Sequence, residues 1–312
     1  MRDYVIKRIL VGVLLVFAVS FLVFCLMYAM PGDPVDMAIN DKVSAERKAQ
    51  IAHELGYDQP FLVQYKNWVV KVLHLDFGTS TRYKAAVWDL MSDRIPYSLK
   101  LCGWSLLLEM IIALPLGLYC AIHKDSLVDK ATVNLSLIFT AVPSFWLGTL
   151  LIVIFGVKLH VLPISGYETA VHYVLPVITI TLTGLGSTLR ITKAEVLEVL
   201  NEKYVTTAYA KGLPRKVVLY KHVLRNALVI VVTLLFMSLP WMISGAVITE
   251  KVFGLPGMGS LLLNSIVVQD IPVVQAVLLI IAILTVICNL FSDIITGFLD
   301  PRIRVSMSGG DN

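Results

Sequence analysis

Charge is scarce in this chain. Asp, Glu, Lys and Arg make up 15% of its 312 residues and hydrophobic residues 57%, whereas a soluble domain carries about 25% charged residues. That balance excludes an ordinary water-soluble globular protein. Cysteine is sparse too: Cys25, Cys102, Cys120 and Cys288 stand singly inside apolar runs. With no paired spacing, they read as small buried hydrophobes rather than disulfides or metal ligands. The histidines His53, His74, His160 and His172 are not spaced as ligand pairs on a helix, so no metal site is assigned. The sequence has no phosphate-cradling G-x-x-x-x-G-K-[ST] loop, and is not expected to bind or hydrolyse ATP. Nothing assembles a nucleophile and base at membrane depth, so neither a catalytic residue nor a cofactor is expected. The net charge of +4 is small and its excess lies in loops, which does not point to nucleic acid.

What the chain has is apolar length. Runs without a formal charge cover Ile9–Met30, Thr132–Val157, Tyr173–Leu189, Ala227–Thr249 and Val273–Phe291, each close to the ~20 residues needed to cross a bilayer. A further run, Leu101–Ile122, holds only Glu109. The expected fold is therefore an all-α membrane protein of six transmembrane helices, the fourth being the shortest. Arg2, Lys7 and Arg8, the pair Lys124 and Lys130, and the dense basic run between Arg190 and Arg225 all fall on one side. The inside-positive rule then puts both termini and the loop at 190–227 in the cytoplasm, with a large external loop after helix 1. The first run is too long for a signal-peptide core and no small-residue cleavage site precedes Pro31, so it reads as a retained anchor. The chain divides into residues 1–30 (N-terminus and first helix), 31–97 (external cap), 98–300 (five-helix core) and 301–312 (cytoplasmic tail).

Within the cap, Ser44 is placed to cap a helix that Gly56 closes. A second amphipathic run spans Leu62 to Leu75, with Val63, Trp68, Val69, Val72 and Leu73 expected on its buried side. The loop AYAKGLPRKVVLYKHVLRNAL, Ala208 to Leu228, is basic, amphipathic and broken by glycine and proline. Ala208 and Gly212 are four residues apart and would share a helix face bare enough for another protein's ridge to approach. Gly212 stops the helix and Pro214 prevents its resumption. Tyr204, Tyr209 and Tyr220 are candidate anchors, as aromatics concentrate in interface hot spots.

This loop resembles the cytoplasmic docking loop of ATP-binding-cassette (ABC) importer permeases, although the family's Glu-Ala-Ala reads Thr206-Thr207-Ala208 here. The landmarks MPGDP (Met30 to Pro34), YDQP (Tyr57 to Pro60), DFGTS (Asp76 to Ser80), FGLPGMG (Phe253 to Gly259) and DPRIR (Asp300 to Arg304) stand in the order found in B-type permeases of the dipeptide, oligopeptide and nickel family. The nickel branch is nearest in wording. The resemblance implies a permease subunit in the bacterial cytoplasmic membrane. Its implied partners are a homologous second permease, two ATPase subunits, an extracytoplasmic substrate-binding protein and membrane lipid. Coupling to the ATPase would fall to Tyr204, Ala208, Gly212, Leu213, Pro214, His222, Leu224, Arg225 and Asn226. Glu109, Ser144, Gly184, Trp241, Ser244 and Gly245 are candidates for the translocation path, because acids and helix breakers at membrane depth tend to serve function. The alternative is an ion-coupled secondary transporter, which commonly shows inverted repeats and intramembrane acids; one acid and no repeat are found.

Overall fold

The structure is a computed structural model that describes residues 2–29, 44–227, 231 and 246–299. Among these the regular elements are helical. The long helix α1 (Arg2–Tyr28) is followed by three short ones, α2 (Ala45–Leu55), α3 (Phe61–Leu73) and α4 (Val87–Ser92), which form one end of the molecule, called here the cap end. Helix α5 (Ile95–Ile122) runs away from it and α6 (Leu127–Ala141) returns. After α7 (Ser144–Leu151), which widens into a π turn at Ile152–Lys158, α8 (Val174–Leu200) runs parallel to α5. Two short pieces follow, α9 (Lys203–Ala210) and α10 (Arg215–Val217), the latter continuing as a π turn at Val218–Leu224. The chain then forms α11 (Ala246–Phe253), α12 (Met258–Val267) and α13 (Ile271–Leu299).

Among the described residues, four helical stretches are long and apolar enough to cross a membrane: Val5–Tyr28, Val87–Ile122, Ala170–Leu200 and Ile271–Ile294. Two more are bent pairs, α6 with α7 at 103° and α11 with α12 at 82°. The expected third helix, one charge-free run, is thus broken. Val142 is extended (φ −81°, ψ 129°) in front of Pro143, as the clash of a proline ring with the preceding residue requires. The fourth helix is not the shortest. It continues for 27 residues through Arg190, Lys193, Glu195 and Glu198, because charge at the end of a span does not stop a helix whose other face is packed. Most of the expected fifth run, and the landmarks MPGDP and DPRIR, lie outside the described residues.

The α5–α8 seam holds the bundle together and is lined by small and hydroxylated residues, which let helix backbones approach closely. Thr181 Oγ1 donates across it to the Ser105 carbonyl (3.1 Å), and Gly117 packs on Thr192. Helix α6 closes on the other flank of α8, with Ser136 and Thr140 against Gly186. Helices α1 and α13 form a second pair, tied by Arg8 Nη1 to Asp293 Oδ2 at 2.7 Å.

Candidate functional site

At the end opposite the cap, α8 passes into a helix–turn–helix. Glu202 is extended (φ −68°, ψ 142°) and starts α9. The helix ends where the Leu213 amide reaches back to the Ala208 carbonyl (3.3 Å) and the Gly212 amide to Tyr209 (2.9 Å). Gly212 adopts φ 75°, a left-handed conformation open to glycine at little cost. Pro214 (φ −58°) then fixes the entry to α10.

Ala208 points inward. It is 5% exposed and belongs to an apolar cluster with Ala121, Val196, Val199, Val205, Val218, Val223 and Ala227. The expectation that Ala208 and Gly212 offer one bare face to a partner is therefore corrected. Ala208 is small so that α9 can lie close on its own chain, and Gly212 serves the turn, with no neighbour within 4 Å of a Cβ built there. The outward surface is made instead by Tyr204, Tyr209, Leu213 and Tyr220, the last 65% exposed, among exposed Lys203, Lys211, Arg215, Lys216, Lys221 and Arg225. His222 and Leu224 are half-buried. Asn226 Nδ2 donates to the His222 carbonyl (2.7 Å) and to Tyr204 Oη (3.1 Å), locking the two arms together. The base of this unit is tied to the bundle by Lys193, whose Nζ lies 2.6 and 2.8 Å from the two oxygens of Asp129. Asp129 in turn accepts from the Asp125 amide (2.9 Å).

Of the path candidates, the structure brings Glu109 and Gly184 together. Glu109 is 2% exposed, accepts a hydrogen bond from Thr188 and packs its carboxyl on Gly184. It therefore sits in the α5–α8 seam as an interhelical tie. Ser144 starts α7 at the helix break. Trp241, Ser244 and Gly245 lie outside the described residues.

Two buried acids at the cap end escaped the sequence reading. Glu250 accepts from Ser98 Oγ (2.5 Å) and from the amides of Gly259 (2.8 Å) and Ser260 (3.0 Å), so it caps α12 where that helix's amides would otherwise lack acceptors. Gly257 in FGLPGMG leaves room for it, since a Cβ there would overlap the carboxyl. Asp270 accepts from Ser80 Oγ (2.5 Å) and from the amides of Thr81 (3.1 Å) and Arg82 (3.3 Å), fastening the DFGTS turn to the start of α13. The available signal was an acid at the edge of an apolar run facing a glycine-rich landmark. Between this turn, α1 and α3 lies a cavity of about 590 Å³, lined in part by Trp68, Lys71, Phe77 and Gln275.

An all-α bundle with four to six candidate spans among the described residues and a basic, aromatic helix–turn–helix at one end fits the all-α membrane fold expected from the sequence. The family described as binding-protein-dependent transport system inner membrane component matches residues 113–305, and its N-terminal companion matches residues 1–102. The chain belongs to this family. Over 97% of its length the permease is 35% identical to all of the oligopeptide transport system permease protein AppB of Bacillus subtilis (strain 168). It is also 35% identical, over 97% of itself and 99% of the relative, to the metal-staphylopine import system permease protein CntB of Staphylococcus aureus (strain Mu50). With the dipeptide transport system permease protein DppB of Escherichia coli (strain K12) identity is 31%, over 97% of this chain and 99% of the relative. The permease is thus a multi-pass inner-membrane subunit of an ABC importer and not itself an enzyme.

Proposed function

We propose that this permease, with a homologous second permease, two ATPase subunits and an extracytoplasmic binding protein, translocates di- or oligopeptides or a metal chelate, nickel (ion or chelate) among the candidates. Relatives named for oligopeptide, dipeptide and metal-staphylopine import support that range. The observation that carries the coupling role is the helix–turn–helix at Lys203–Leu224, packed and apolar toward its own chain, aromatic and basic outward. Placed in the cytoplasm by the inside-positive rule, it acts as a lever: the ATPase moves it, and its packing on Val196 and Val199 hands the motion to α8 and thence to the α5–α8 seam. Tyr204, Tyr209, Leu213, Tyr220 and Arg225 make the contact. Ala208, Gly212, Pro214, His222, Leu224 and Asn226 hold its shape.

The test is uptake by the reconstituted five-protein system, with labelled dipeptides and labelled Ni²⁺, free and chelated, offered through the binding protein. Uptake that requires ATP and survives collapse of the ion gradients supports the reading. Uptake by the chain alone, driven by an ion gradient, would establish the secondary-transporter alternative instead.

A further inference from the structure

Helix α3 carries its polarity inside out. At about 100° per residue, Phe61, Tyr65, Trp68 and Val72 form one face, Gln64, Asn67 and Lys71 a second, and Leu62, Val63, Lys66, Val69, Val70 and Leu73 a third. The first packs on the protein. Phe61 meets Phe21, Phe24 and Tyr28 at ring separations of 5.9, 5.3 and 4.9 Å, and Trp68 and Val72 join the cluster containing Val273, Val274 and Val277 of α13. The polar second face is turned toward the 590 Å³ cavity. The third, apolar but for Lys66, faces outward: Leu62 is 67% and Leu73 71% exposed. Val63 and Leu73, expected on the buried side, are among its exposed residues. A helix bathed in water would reverse the second and third faces.

Depth along α1 explains the inversion. Tyr65 Oη lies 2.8 Å from Ser20 Oγ and 3.4 Å from the Phe17 carbonyl. Phe17 is some 16 Å back from Tyr28 along the helix at 1.5 Å per residue, and the apolar span is Val5–Tyr28. The hydrocarbon core is only about 30 Å thick. A tyrosine reaching Phe17 and Ser20 draws α3 below the surface of the leaflet in which α1 ends. The span that α3 packs on has an exposed apolar side of its own, which includes Leu14, Phe17, Phe21 and Leu22.

We propose that α3 is an interfacial helix seated in the leaflet at the cap end, its Leu62, Val63, Val70 and Leu73 side covered by lipid acyl chains and the Lys66 ammonium reaching the headgroup phosphates. The occupant of this face is lipid, and the helix anchors the cap to the bilayer beside the first span. This holds whatever solute the transporter carries.

The experiment uses the assembled transporter in nanodiscs, with the four native cysteines replaced by alanine and a bimane fluorophore attached at Leu62→Cys, Leu73→Cys or, as a smaller change reading the same face, Val70→Cys. Lipids spin-labelled near the headgroup should quench all three strongly and aqueous iodide weakly. Gln50→Cys, on the exposed side of α2, should show the reverse. Iodide quenching of the α3 positions equal to that at Gln50→Cys would overturn the proposal in favour of a water-covered cap. Protection from both quenchers would overturn it in favour of a protein partner on this face.

Discussion

Removal of the Glu250 carboxyl would strand the amides of Gly259 and Ser260 without their acceptor inside the protein, along with the Ser98 hydroxyl, which also accepts from the Met258 amide at 2.8 Å. A buried donor left unsatisfied costs about 1–3 kcal/mol. Glu250→Ala should therefore lower the thermal unfolding midpoint of the detergent-solubilised permease, and Glu250→Gln, which keeps a carbonyl oxygen, should lower it less. Equal losses for both would show that the cap geometry is not what stabilises. On the water side, the hydrogen bond and negative charge of Asp58, 2.7 Å from His53 Nδ1, hold His53 above the ordinary histidine pKa. The sign follows: the pair contributes below the ordinary histidine value and is lost as pH rises through the raised one. An NMR titration should find His53 raised and returned to the ordinary value by Asp58→Asn; no change on that substitution would remove Asp58 as the cause.

Among the elements, the Lys203–Leu224 unit separates conformation from contact. Gly212 meets no neighbour, so its requirement is the positive φ, which costs a β-branched residue roughly 1–2 kcal/mol or more. Gly212→Asn, which tolerates that conformation, should keep ATPase capture and uptake, while Gly212→Val should lose both with the protein still inserted. Tyr220 is exposed and is proposed to meet the ATPase, so Tyr220→Ala should weaken ATPase capture by about tenfold and leave the unfolding midpoint unchanged. The turn was legible, because Gly212 and Pro214 are backbone signals that act locally. The direction of Ala208 was not. Helical spacing says which residues share a face but not which neighbour that face meets: here Val196 comes from α8, and Val218 and Val223 from beyond the turn. The same distinction separates α2, whose Ser44 and Gly56 caps were readable, from α3, where Val63 and Leu73, expected on the buried side, are exposed.

For the molecule as a whole, composition alone fixed the solvent. With so little charge, helices must satisfy their backbones internally and bury polar groups against one another, and the charge-free runs mark where they do so. The breaks were harder to see. A proline at membrane depth is tolerated in some spans, as Pro115 is inside α5, and bends others, as Pro143 does between α6 and α7; neighbouring packing decides between the two. Glu109 illustrates the remaining gap: an intramembrane acid invites a functional reading, and the structure gives it a hydroxyl partner and a glycine bed in the α5–α8 seam. The central claim is that this chain is a passive lever moved by separate ATPases, and uptake in proteoliposomes tests it most directly. With the second permease, both ATPases and the binding protein present, solute should accumulate only when ATP is supplied, and Gly212→Val should abolish accumulation in fully inserted protein. Undiminished accumulation by Gly212→Val, or by wild-type chain lacking the ATPases, would contradict the account.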